Sequence, residues 1–304
     1  MTQLLNALPG ALAQGLIWGV MAIGVYITYK VLDIADLTVD GSICTGAAVC
    51  TMLLLGGQSP WLALLCAVLA GVLAGAVTGL LHVGLGIPPI LAGILTQMVL
   101  WSVNLKLLGK ANQALPARTT PVLLSQMDVG GALPVLLGFC VVLVALLVLF
   151  FGTELGCALR ATGCNPVMSR AQGVNTGLMK IIGLALSNGV VALSGALLCQ
   201  YQGYTDVNMG RGAVVIGLAA VVIGQAVLGR RGGRMAVQLG GVILGAVIYY
   251  IVYQVIIFAG FDTDLLKMFS AVVVAVFLGA PHVKAQRKAH SRSKKGDSGH
   301  AENE

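Results

Sequence analysis

Three carboxylates stand close together early in the chain: Asp33, Asp36 and Asp40, spaced three and four positions apart. In an apolar setting such acids either hold a coupling cation or accept hydrogen bonds from the free N–H groups of a helix start, as Asp readily does. The segment suits the second role better. Of the four histidines only His82 lies outside the C-terminal tail, at the end of an apolar run where interfacial polarity accounts for it. His282, His290 and His300 read as solvated polarity rather than metal ligands. No G-x-x-x-x-G-K-[ST] loop occurs, so ATP is not bound by that route, and neither H-E-x-x-H nor a nucleophile elbow is present. The seven cysteines form no C-x-x-C pair and lie mostly inside apolar runs. They read as small buried hydrophobes, not as a disulfide or zinc framework. No catalytic residue, metal or cofactor is expected, and the chain does not read as an enzyme.

The elements that position these residues are membrane spans. The chain is 58% hydrophobic and only 10% charged, far from the balance of a soluble domain. Several runs reach the ~20 apolar residues that cross a bilayer as a helix. They are continuous rather than alternating, which argues against an outer-membrane barrel. The expected fold is therefore an all-α polytopic membrane protein. Nine spans are expected, at 10–29, 42–55, 61–82, 88–108, 132–151, 178–199, 213–228, 236–258 and 264–280. No Lys or Arg precedes Lys30, so the first run reads as a retained span and not a cleaved signal. Residues 1–281 form one transmembrane domain, and 282–304 a charged tail expected to be disordered. The net charge of +7 comes largely from that tail, and speaks to topology and the anionic inner leaflet rather than to nucleic acid.

Two segments, one in each half of the chain, resemble each other. Asp36-Leu37-Thr38-Val39-Asp40-Gly41 opens the short second span; Asp206-Val207-Asn208-Met209-Gly210 opens the seventh, short and glycine-punctuated. A shift of five spans puts the copies on opposite sides of the membrane, the signature of an inverted repeat of spans 1–4 and 6–9. Two unrelated polar turns would give the same short match, and the two readings weigh about equally here.

The longest polar interruption is 152–177, with Glu154, Arg160 and Arg170 among small residues. It is too long for a plain connector. Leu155 and Leu159, four apart, predict a short helix over 153–161 with both on one face. A C-terminus on the inside gathers thirteen of the eighteen Lys and Arg there, with this loop, and leaves five outside; that is the positive-inside bias. The protein is then a multi-pass plasma (inner) membrane protein with a cytoplasmic C-terminus and, for nine spans, an outside N-terminus. Span interiors hold almost no charge, and Lys180 and Lys267 lie near span ends where they can snorkel. Gln97, Asn104, Asn188, Gln238 and Gln254 fall within spans, as interhelical glue or as lining of a path. Asp36, Asp40, Gln97, Asn104, Asn188, Asp206 and Asn208 are the candidate translocation path.

A family resemblance is carried by Thr153, Gly156, Arg160-Ala161-Thr162-Gly163, Ala171 and Gly173, leading straight into a span. This stretch resembles the cytoplasmic coupling loop of permeases in the branched-chain amino acid/ribose group of ABC importers. The front segment, LDIADLTVDGS at 32–42, resembles the matching segment of that group. Together with Pro89-Ile90-Leu91-Ala92-Gly93-Ile94-Leu95-Thr96 it is more similar to the branch assigned to tryptophan or tyrosine uptake. The resemblance implies a permease subunit that forms the pathway for a small solute, an amino acid, with ATP hydrolysed in a partner chain. It implies cytoplasmic ABC ATPase subunits docking on the loop, an extracytoplasmic solute-binding protein, and a homodimer or sibling permease. Gly156, Arg160, Ala161, Gly163, Arg170 and Gly173 would form the coupling loop. In that picture Gly156 and Gly163 permit close approach of the ATPase, and Arg160 is a partner contact, a cap for its own loop or a topogenic charge. The alternative from another class is a stand-alone secondary transporter or channel.

Overall fold

The structure is a computed structural model that describes residues 2–116, 120–228 and 234–258. It is a helical membrane protein. Six helices among the described residues are long and apolar enough to cross a bilayer, and two apolar helices are shorter. In chain order the helices are α1 (Thr2–Tyr26), α2 (Val39–Leu55), α3 (Pro60–Gly84), α4 (Pro89–Leu108), α5 (Val129–Gly152), α6 (Glu154–Cys164), α7 (Pro166–Ala171), α8 (Thr176–Gln202), α9 (Ala213–Leu228) and α10 (Met235–Phe258). The two shorter apolar helices are α2 and α9, where short spans were expected. The ninth expected span, 264–280, and the 282–304 tail lie outside the described residues.

Local chemistry starts the helices where they start. Ser59 caps α3 by accepting from the Leu62 N–H, with Pro60 in the first turn. Asp128 caps α5 through the Gly131 N–H, and Asn175 caps α8 through the Leu178 N–H. Such side chains satisfy N–H groups that the helix itself leaves free.

α1 and α8 form the buried centre, and they run antiparallel. The Ser187 hydroxyl donates to the Gly24 carbonyl and the Ser194 hydroxyl to that of Ile17, at 2.8 and 2.7 Å. Each carries a glycine-lined neighbour. α3 lies along α8, with Gly75 and Gly79 facing the backbone of Leu184 and Ile181. α10 lies along α1 in the same manner, where Gly15 and Gly19 face Val247 and Ile243. Small residues let helix backbones close up where lipid offers no hydrophobic drive. One end of the bundle carries the two small helices α6 and α7. The other carries a two-stranded antiparallel ribbon, β1 (Asn112–Ala114) with β2 (Tyr204–Asp206).

The correspondence between the Asp36 and Asp206 segments extends to the backbone. After α1 comes a π-helical turn, Ile27–Val31, and then Asp33 with φ 56°, the one non-glycine residue with positive φ among those described. After α8 comes Gly203 with φ 75°, standing before Asp206 as Asp33 stands before Asp36. Each stop is followed, three residues on, by an aspartate that accepts from the N–H two residues ahead. Asp36 Oδ1 takes the Thr38 N–H at 2.8 Å, and Asp206 Oδ1 takes that of Asn208 at 2.7 Å. The two shorter apolar helices then begin side by side and diverge. α2 runs parallel to α8 toward the ribbon end, where the Thr51 and Thr205 hydroxyls are 2.6 Å apart. α9 runs the other way, its Ala220 and Gly224 packed against Gly245 and Gly241 of α10. Among the described residues α1–α3 and α8–α10 are thus related as an inverted-topology repeat requires, while the expected counterpart of α4 lies outside them.

Candidate functional site

Three groups of residues draw together what the sequence singled out. The first is a buried polar cluster midway along α8. Asn188, fully buried, donates to Asp36 Oδ2 at 2.7 Å and to the Leu184 carbonyl at 2.9 Å, and accepts from the Ser42 hydroxyl at 2.6 Å. Beside it the hydroxyls of Thr38, Thr78 and Thr96 form a chain with spacings of 2.8 and 2.9 Å. The chain ends on helix backbone, where Thr96 donates to the Ala92 carbonyl at 3.0 Å, so the cluster is satisfied internally. The carboxylate that leads into α2 is thereby tied to α8, and through the threonines to α3 and α4.

The second group is a chamber of about 490 Å³ between α2, α4 and the 207–212 link. Asp40, Gln97, Asn104 and Arg211 give it polar walls; Cys44, Ile94, Met98 and Trp101 give it apolar ones. Asp40 does not cap its own helix. Its two oxygens accept from the N–H groups of Gly212 and Val214, each at 3.0 Å, so it caps α9 from the start of α2. Negative charge is favourable at that positive end. Gly210 fits against the Asp40 carbonyl, and its N–H donates to Cys44 Sγ at 3.1 Å. Asn104 is 1% exposed, yet neither amide atom has a hydrogen-bond partner. Gln97 is half-buried on the wall.

The expected path residues therefore separate. Asp40, Gln97 and Asn104 share the chamber, whereas Asp36 and Asn188 are buried in the neighbouring cluster. Asp206 is engaged at the ribbon, 3.5 Å from the Asn112 amide, and Asn208 is exposed. Arg211 and Trp101, which were not among the expected path residues, also line the chamber. In sequence Arg211 reads only as an outside loop charge, and Trp101 as an interfacial aromatic.

The third group is the 152–177 stretch. α6 extends beyond the predicted 153–161 and is capped by Thr153; α7 is capped by Asn165 and continues the surface. Leu155 and Leu159 do not share an environment: Leu159 is fully buried beneath α6, while Leu155 is 50% exposed. Four residues carry a helix somewhat past one full turn, and the buried stripe of this short helix is too narrow to take in Leu155 as well. The glycines are corrected in role too. A Cβ on Gly156 would run into the Phe150 carbonyl, and one on Gly163 into that of Val31. Both admit the protein's own backbone, not an approaching partner. Arg160 donates to the Phe151 carbonyl at 3.0 Å, which makes it a cap on the last turn of α5. Arg170 donates to the Thr176 hydroxyl at 2.7 Å, and Gly173 makes a left-handed turn at φ 83°. Ala161 is exposed. Alongside lie exposed apolar side chains, Leu155, Val167 and Met168. At the same end His82 Nδ1 is 2.8 Å from the Ile87 carbonyl, and Lys180 Nζ reaches its Nε2 at 3.3 Å rather than snorkelling free.

All seven cysteines are free thiols, and no cluster of three or more His, Cys, Asp or Glu side chains suits a metal among the described residues. Gln238 accepts from the Tyr26 hydroxyl at 2.5 Å and joins α10 to α1 as interhelical glue.

Known proteins resemble this chain along most of its length. The family model for the permease component of branched-chain amino acid transport systems matches residues 8–280. The chain is 37% identical over 287 residues to the tyrosine transport system permease protein of Clostridioides difficile (strain R20291), covering 93% of this chain and 94% of that one. It is 33% identical over 279 residues to the uncharacterized protein RP368 of Rickettsia prowazekii (strain Madrid E), covering 91% and 98%. It is 30% identical over 216 residues to the autoinducer 2 import system permease protein LsrC of Escherichia coli (strain K12 / DH10B), covering 67% and 60%. No solved structure matches the chain.

Proposed function

Because the chain belongs to the permease family of branched-chain amino acid transport systems, and so is a solute-translocating permease subunit of an ABC importer, we propose that its solute is an aromatic amino acid. The observation that carries this reading is the 37% identity to a tyrosine transport permease along almost the full length of both chains. The pathway of this importer runs along α2, α4 and the start of α9, where the two shorter helices meet and polar side chains collect in an otherwise apolar bundle.

The energy comes from a separate ATPase that docks on α6 and α7. The exposed Leu155, Val167 and Met168 supply the apolar surface for it. The seat beneath transmits the movement: α6 presses Gly163 on the π-helical turn and holds Phe151 through Arg160, so a push on α6 reaches the segment that leads to Asp36. A second permease copy, or a sibling, covers the exposed apolar side of α4, and an extracytoplasmic binding protein delivers solute at the ribbon end. With α6 inside, α8 runs outward, the plasma membrane is crossed with the N-terminus outside, and a ninth span brings the C-terminal tail into the cytoplasm.

The test is purification of the tagged chain from its native membrane in mild detergent, followed by reconstitution of whatever co-purifies. Uptake of L-tyrosine that requires both ATP and a bound ATPase supports the reading. A chain that purifies alone and moves solute without ATP overturns it.

A further inference from the structure

The Asn104 side chain is an anomaly. A buried amide brings two donors and an acceptor, and buried polar groups are nearly always paired. Here all of that capacity is unused in a residue 1% exposed, on the wall of a chamber between helices. Replacement by Leu would fit an apolar span better, so an unpaired Asn there is a cost to folding that packing alone does not repay.

Across the same chamber stands Arg211. It is exposed, and among the described residues no carboxylate forms an ion pair with it. The acid on the same wall, Asp40, is committed to the N–H groups of Gly212 and Val214. A guanidinium offers donors alone, in a planar fork that matches a carboxylate. Trp101 contributes an indole to the apolar wall, beside Met98. At about 490 Å³ the chamber has the size of small-molecule sites, which span about 300–1,000 Å³.

We propose that this chamber is a solute subsite in which Arg211 pairs with the carboxylate of the transported molecule, Asn104 hydrogen-bonds its polar head, and Trp101 lies against its apolar side chain. The proposal rests on the permease reading above and adds the residues that recognise such a solute, a small carboxylate with an apolar, flat side group. A sugar or a bare amine would leave the guanidinium unpaired.

The test uses cells lacking this chain, complemented with wild type or variants, and measures uptake of labelled L-tyrosine, a second carboxylate solute and a neutral sugar. Folding is controlled by the amount of assembled complex and its melting temperature in detergent. Arg211→Gln and Asn104→Leu each lower L-tyrosine uptake by about tenfold or more at low solute concentration, the scale of one lost recognition contact. Arg211→Lys retains a measurable part, and Asn104→Leu melts no lower than wild type, which separates recognition from folding. If both variants carry L-tyrosine as wild type does, the subsite is overturned and the permease reading stands. If wild type carries only the other carboxylate solute and the same variants lose it, the amino acid is overturned and the subsite stands. If wild type restores only sugar uptake, both fall.

Discussion

The Asn188 amide donates to Asp36 Oδ2 at 2.7 Å, joining positions 152 apart in sequence at the middle of α8. The Thr38 N–H and hydroxyl and this amide serve the Asp36 carboxylate, and the Ser42 hydroxyl completes Asn188. A carboxylate held this deep, 5% exposed, depends on each of those partners.

Replacing Asn188 by Leu removes a donor from a buried carboxylate and an acceptor from Ser42. The expected cost is about 2–4 kcal/mol of stability, read as a lower melting temperature of the detergent-solubilised protein. An unchanged melting temperature would show that the cluster is not holding α2 against α8.

Asp40 caps α9 from the other half of the chain. Asp40→Ala should destabilise the helix start by about 1–2 kcal/mol, and Asp40→Asn by less, because one side-chain acceptor remains. Limited proteolysis at 206–213 reports it: the Ala variant is cut faster than wild type, with Asn between them. Equal cutting of all three refutes the cap.

The glycine contacts predict a graded series. Gly163→Ala drives a Cβ into the Val31 carbonyl and must lift α6 from its seat; the loss should exceed about 2 kcal/mol. Gly173→Ala has open space but a φ of 83°, and should cost about 1 kcal/mol. Gly240→Ala meets nothing within 4 Å and has no positive φ, so it should be neutral or slightly stabilising. A reversed order in melting temperatures would contradict the packing described.

Changing Leu155, Val167 and Met168 together to Ser leaves buried contacts untouched, since all three are at least half exposed. The isolated permease should melt as wild type does, while co-purification of the ATPase drops by about tenfold or more, as for apolar anchors at an interface centre. An ATPase that stays bound to the triple variant would move the docking surface elsewhere.

The sequence alone determined the architecture in outline. Continuous apolar runs can only be membrane helices, and eight of the nine expected spans correspond to described helices. It also pointed to both aspartate-led openings, because an Asp ahead of a helix and a constant offset between like segments are local and countable. It could not reveal that Asp33 and Gly203 share one left-handed conformation, since unlike residues adopt it and only the backbone records it. Partners fixed by packing were equally hidden. Asp40 looked like the cap of its own helix, but its N–H donors lie 172 and 174 residues away. Gly163 looked like room for another protein, but the room is filled by Val31. Arg211 looked like a loop charge until α4 brought Asn104 to the same chamber. Spacing along one chain fixes which residues share a helix face. Which faces meet is settled by the burial of all of them at once, and that information exists only in the folded bundle.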